Sequence, residues 1–224
     1  MSFEKAPSRF PSFLISTLLV IAITIGCLTD GVESAESRVG VVTLEPSKTL
    51  VEFQLVGALH TVHGKFQLKS GTIKADSATG KAEGAIVIDA ASGDSGDVLR
   101  DHRMNDSVLE VQSYPEITFT PRHLDGHLDD AGAFNAKLEG LLKLHGGDHD
   151  ITIDAHGTLV GDNLIATGRF TVPYVAWGLE DPSLLLLTVS KQVDIAIATA
   201  GHVTWLNNAK PALQRPDRVA PIRP

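Results

Sequence analysis

Between Thr49 and Val56 the chain alternates, with Val51, Phe53 and Leu55 on one face and Glu52 and Gln54 on the other. Period-two alternation of apolar and polar positions marks a strand with one buried face. Val62, Gly64, Phe66 and Leu68 continue it against His63, Lys65 and Gln67, and Gly71 with Ile73 predicts a further short strand. Asp76-Ser77-Ala78-Thr79-Gly80 has the composition of a turn, after which Ala82, Gly84, Ile86 and Ile88 alternate with more polar neighbours. The two runs predict a hairpin.

Further strands are predicted over 116–124, 134–144, 149–160, 163–172 and 188–198, most of them separated by turns at 129–132, 146–148 and 161–162. Short strands at near-regular spacing, with little helix, predict an all-β antiparallel sandwich or barrel, and periodicity alone does not choose between them. Glycines inside the strands (Gly64, Gly84, Gly140, Gly157, Gly168) suit bends and close approaches in a curved sheet.

One stretch breaks the β pattern. Asp94, Ser95 and Asp97 supply capping residues, and Arg100, His102 and Arg103 place positive charge where a helix dipole favours it, predicting a short helix from Asp97 to Met104. Tyr114-Pro115 stops it, because the residue before a proline is pushed out of the helical region, and Ile117 and Phe119 resume the alternation. Asp94, Asp97 and Asp101, three acids at a helix start, read as caps before they read as general acids or bases.

The series Ile88-Asp89-Ala90-Ala91-Ser92, then Arg100-Asp101-His102-Arg103-Met104, then Tyr114-Pro115-Glu116-Ile117-Thr118-Phe119 resembles the YceI-like family of bacterial lipid-binding, polyisoprenoid-binding proteins. The likeness runs over residues 43–199. It implies an extended lipocalin-like β-barrel of about eight antiparallel strands with a short helical insertion. It also implies a long apolar ligand, an isoprenoid or isoprenoid quinone, and a binding rather than catalytic role. The chain departs from the family pattern at Lys48-Thr49, where a His-Ser opening is common, at Leu142-Lys143-Leu144-His145-Gly146, and at Trp177-Gly178, where a Phe-Gly element is common.

The chain has 224 residues, enough for one domain with a full core plus extensions. A net charge of -8 and nine scattered histidines give no basic footprint for nucleic acid. Residues 1–35 read as a signal peptide and linker: Lys5 and Arg9 precede an apolar run from Phe13 to Cys27, short for a membrane span but right for a signal core. Export to the periplasm or beyond is expected, with cleavage between Gly26 and Ala35. Thr24-Ile25-Gly26-Cys27 faintly resembles a lipobox, which would anchor a lipoprotein to a membrane through Cys27. Cys27 is the only cysteine, so the mature domain has no disulfide. Residues 30–40 read as linker, and 200–224 as a proline-rich, basic, flexible tail.

No Gly-x-Ser-x-Gly, Cys/His pair or zinc-type cysteine spacing is present, and neither catalytic residue, metal ligand nor cofactor is assigned. His60 with His63, and His145 with His149, are the candidates for metal or small-substrate chemistry. Their plainer reading is as surface histidines, the second pair facing each other across a hairpin ladder. Phe53, Phe66, Phe119 and Phe170 recur on apolar faces of separate strands and are expected to line one cavity with Trp177. Arg100 and Asp101 either tie the helix to the strands or aim a charge-assisted donor at a ligand head group. The rivals to lipid binding are an enzyme of the same fold using His145 and His149 or the Arg100 helix, and a stress barrel with a filled interior.

Overall fold

The structure, a computed structural model, describes residues 38–183 and 188–206. The signal segment, Cys27, most of the linker and residues 207–224 of the tail lie outside the described residues.

Among the described residues nine strands form one antiparallel sheet: β1 Val39–Leu44, β2 Leu50–Val56, β3 Thr61–Asp76, β4 Ala82–Asp94, β5 Glu116–Leu128, β6 Ala133–Leu144, β7 Gly147–Val160, β8 Asn163–Val172 and β9 Val193–Leu206. β3 through β9 pair in chain order, except that β3 and β9 do not touch each other directly. β2 bridges them near one end, Val51 facing both Phe66 and Ile197, and β1 bridges them near the other, Val39 facing both Asp76 and Leu206. β1 and β2 thus share one strand position, broken by a 3-10 turn at Pro46–Lys48, and the sheet closes as an eight-stranded barrel. Closure leaves no long sheet edge unpaired.

Inward positions are apolar along every strand, while outward positions such as Glu52, Gln54, Lys65 and Gln67 are exposed and polar. That polarity is opposite to a membrane-spanning barrel, whose outer band faces lipid. Bulges keep the inner face apolar where the sequence slips out of register. The stretch split between two predicted strands is the single β3, because the irregularity between Leu68 and Ser70 moves the inward set from Val62, Phe66 and Leu68 to Gly71, Ile73 and Ala75. In β5 the irregularity lies between Pro121 and His123, and proline, which cannot donate to the ladder, is tolerated beside it.

Two boundaries differ from expectation. Val39 and Gly40, placed in the linker, begin β1, an apolar run without alternation that pairs with β3 on one edge and β9 on the other. The strand predicted over 188–198 is β9, which begins at Val193 and runs on through Leu206. Residues 200–206 of the predicted tail are therefore ladder: Gly201 faces Leu44 and Trp205 faces Gly40.

The barrel has two unlike ends. The β3–β4, β5–β6 and β7–β8 connections are tight polar turns at one end, where the inward Leu44, Leu68, Ala82, Leu138 and Val203 are buried. The other end carries the β2–β3 and β6–β7 turns and two long connections. One is the helical segment between β4 and β5, and the other is the β8–β9 segment. The first holds α1, Val98–Arg103, which passes into a π-type turn over Met104–Val108. The helix is the one expected at Asp97–Met104: Asp97 Oδ1 accepts from the Arg100 backbone N–H at 2.9 Å.

Candidate ligand cavity

The helical end of the barrel is hollow. A cavity of about 480 Å³ lies there, within the span of roughly 300–1,000 Å³ usual for ligand pockets. Its walls come from β2 through β9: Phe53 and Leu55, Phe66, Ile86 and Ile88, Ile117 and Phe119, Leu142 and Leu144, Ile153, Phe170 and Val172, and Ile195. Its lid comes from the long connections, with Met104 and Leu109 from one and Tyr174, Leu179 and Pro182 from the other. Among the described residues, the lining side chains that carry polar groups are Ser95, Arg100, Arg103 and Tyr174, and all four sit on these connections.

Period two brings the phenylalanines together. Phe53, Phe66, Phe119 and Phe170 occupy inward positions of β2, β3, β5 and β8, and all four line the cavity. Phe53 and Phe66 lie with ring centroids 5.4 Å apart, tilted by 44°. Glycine makes room for the rings. A Cβ on Gly64 would stand 2.2 Å from the Phe53 ring, and one on Gly93 would stand 2.4 Å from Met104 and 2.8 Å from Phe66.

Arg100 and Asp101 do not pair with each other; both hold Ser95. Asp101 Oδ1 accepts from the Ser95 backbone N–H at 2.9 Å and from its hydroxyl at 2.5 Å, while Arg100 donates from Nε to Ser95 Oγ at 2.7 Å and from Nη2 to the Ser95 carbonyl at 2.8 Å. This clamp fixes the junction between β4 and α1 and leaves Arg100 on the cavity wall. Arg103, also on the wall, reaches across to Glu180 of the β8–β9 connection at 3.5 Å. Asp94 accepts from the Gly96 N–H at 3.0 Å and lies 3.4 Å from Lys65 Nζ, which together hold its carboxyl below the usual range. The three acids of this stretch thus act as local caps.

Tyr174 is buried, and its hydroxyl donates to the Ser190 carbonyl at 2.8 Å. Burial, and then the nearby Asp181 carboxylate, push its phenol up to about 12. Asp181 itself is held low by hydrogen bonds from the side chain and backbone of Ser183.

Trp177 is not among the cavity residues. It stacks on His149, centroids 4.0 Å apart and planes 3° from parallel, while Tyr174 and Leu179 of the same turn face the cavity. The turn therefore presents a different aromatic from the one expected. Nothing in the sequence separates Tyr174 from Trp177, because Pro173 ends the alternation and the backbone between Tyr174 and Gly178 turns on itself.

His145 and His149 do not face each other. The hairpin turn is His145-Gly146, both with positive φ (50° and 77°), so Gly147 already pairs with Leu144 and His149 lies opposite Leu142. His145 packs on Tyr114 with centroids 4.6 Å apart, and its Nε2 is 3.2 Å from Glu110 Oε1, close but not aligned for a hydrogen bond. Each histidine has its own aromatic partner, and the two share no site. Among the described residues no three His, Cys, Asp or Glu side chains converge as a metal site would require. Arg103, Met104, Leu109 and Leu179 are cavity residues that the alternation could not point to, since all come from connections.

Residues 42–200 match the YceI-like domain. Solved structures share the fold. A polyisoprenoid binding domain from Saccharophagus degradans implicated in plant cell wall breakdown is 18% identical with a TM-score of 0.57, covering 73% of this chain and 98% of that one. BcnA of Burkholderia cenocepacia is 17% identical with a TM-score of 0.56, covering 70% and 98%. A Campylobacter jejuni YceI protein is 21% identical with a TM-score of 0.52, covering 63% and 84%. No curated protein matches the chain.

Proposed function

The chain belongs to the YceI-like family, and from that premise we propose that it is an exported, non-catalytic carrier that sequesters a long apolar molecule, an isoprenoid or isoprenoid quinone. The observation that carries this reading is the cavity: a sheath open at the helical end, apolar from β2 to β9, with polar groups confined to the connections at that end. Each buried methylene contributes about 0.8 kcal/mol, so a tail of about 20 carbons has a gross term of roughly 16 kcal/mol before ordering and association costs. The Saccharophagus domain, described as polyisoprenoid-binding, supports the ligand class. Arg100 and Arg103 at the lid suit a polar head at the end of that tail, with Phe53, Phe66, Phe119 and Phe170 against the tail itself. The N-terminal apolar run supports export to the periplasm or the medium, and in an anchored form Cys27 is the residue that would carry the acyl group.

Native mass spectrometry and organic extraction of protein purified from a bacterial host test the reading together. A co-purifying apolar mass, on a chain shortened by 26 to 35 residues, is the expected result. A barrel that stays empty when offered isoprenoid quinone would overturn the ligand. A full-length chain recovered from the cytosol would overturn export, and a lipid increment on Cys27 would establish the anchored form.

A further inference from the structure

Among the described residues, the three most exposed large apolar side chains lie at the hollow end: Leu99 at 81%, Leu59 at 78% and Val98 at 71%. Leu59 is at the tip of the β2–β3 turn, and Val98 and Leu99 open α1. The register Lys65↔Asp94 brings the chain entering α1 alongside the rising arm of β3, so the two apolar tips stand on the same side of the mouth. Leu99 belongs both to this exposed edge and to the cavity wall, which makes edge and cavity continuous. The turns at the far end carry Asp76 to Gly80, Asp129 to Gly132, and Gly161-Asp162, and the exposed apolar residues near that end, Leu128, Val160, Ile165, Trp205 and Leu206, do not line the cavity.

Exposed leucine and valine at the rim of an apolar cavity have a physical use if the ligand arrives from a phase in which they too are soluble. Resting on the reading of the cavity as a lipid site, we propose that Leu59, Val98 and Leu99 form a membrane-docking edge, seated in the surface of a phospholipid bilayer while the ligand passes between bilayer and barrel. Charge does not drive the contact. The ion pairs around the mouth, Arg103 with Glu180 and Lys65 with Asp94, leave no basic excess there: residues 94–110 carry Asp94, Asp97, Asp101, Asp106 and Glu110 against Arg100 and Arg103. A neutral phosphatidylcholine surface is therefore sufficient, and binding is insensitive to salt.

Flotation of the purified protein with phosphatidylcholine vesicles tests this, with Leu59→Asp, Val98→Asp and the pair combined. Neither position lines the cavity. Val160→Asp is the control: it is 67% exposed, on β7 at the opposite end. The combined mouth variant should lower vesicle affinity about tenfold or more, and Val160→Asp should leave it unchanged. Absence of flotation in the parent, or equal loss in the control, overturns the proposal. So does a dimer in sedimentation that Leu59→Asp dissociates in protein that ignores vesicles, which would assign the edge to a second copy. Organic extraction of the same samples separates the two readings. Ligand retained without flotation overturns the docking edge alone, whereas an empty barrel that floats overturns the cavity's lipid and leaves the edge standing.

Discussion

Replacing Ser95 with alanine removes a single oxygen and two hydrogen bonds, the one accepted from Arg100 Nε at 2.7 Å and the one donated to Asp101 Oδ1 at 2.5 Å. The bonds made by the Ser95 backbone N–H and carbonyl persist, because they use no side-chain atom. Each lost bond has an ionised partner, for which about 1.5–3 kcal/mol is typical in a dry setting. Ser95, Arg100 and Asp101 are only half-buried, so water replaces part of the loss and a total of about 2 kcal/mol is expected. In a domain of this size that lowers the melting temperature by about 4–8 °C. Thermal unfolding followed by circular dichroism reads the total. Hydrogen exchange reads the place, with faster exchange expected through residues 98–108 and none in the β6–β7 hairpin. Ser95→Thr keeps the hydroxyl and should restore both. A melting temperature within about 1 °C of the parent, with unchanged exchange, would refute the view that this clamp holds the lid.

Phe119→Trp overfills the cavity without adding charge, and should cut ligand occupancy on extraction more than it cuts melting temperature; full occupancy in a folded variant would remove Phe119 from the ligand wall. Trp177→Ala should cost stability, through its lost stacking on His149, and leave extracted ligand unchanged, the reverse pattern. Tyr174 supplies a pH test. Its phenol is pushed up to about 12, so the folded state favours the neutral form; that stability is complete below the ordinary phenol range near 10 and is lost as pH rises through about 12. In a Tyr114→Phe background the phenolate absorbance of the folded protein should emerge only near that upper value. Titration at the ordinary phenol value would contradict its burial.

The choice of a barrel over a sandwich rested on the family resemblance, whereas the strands were legible because period two is a strong signal wherever one face is dry. The four phenylalanines fall on the cavity wall for that reason alone, and the Asp97 cap marks α1 within a residue. What escaped notice lies where periodicity stops. β1 has no alternation to find, and the bulge after Leu68 shifts parity so that one strand looks like two. Gly201 and His202 have the composition of a loop end, yet β9 continues through them because β1 and β8 supply partners on both sides. The side chains that close the cavity, Arg103, Met104, Tyr174 and Leu179, belong to connections whose course depends on tertiary contacts with the barrel rim. The local signal at the β8–β9 turn gave no reason to choose Tyr174 over Trp177.

A barrel that is solid at one end and hollow at the other should separate stability from binding within a single strand. Leu138 and Leu144 are both on β6, both inward, and about equally buried at 8% and 7%. Both belong to one buried cluster, but Leu144 lines the cavity and Leu138 does not. Truncation to alanine removes the same atoms at each site, but the cost includes a term for contacts left unmade around the new void. Neighbours surround Leu138, so Leu138→Ala should cost about 3–5 kcal/mol, the upper part of the range for buried leucines. In ligand-free protein part of the Leu144 surface already faces empty space, so Leu144→Ala should cost nearer 2–3 kcal/mol. Loading the cavity reverses the comparison, since Leu144 then gains partner atoms from the ligand and Leu138 gains none. Denaturant unfolding of both variants, stripped and loaded, measures all four values. Equal costs in the stripped proteins, or a ligand-induced change at Leu138, would mean that the cavity closes up when empty and that the barrel has one core rather than a core and a container.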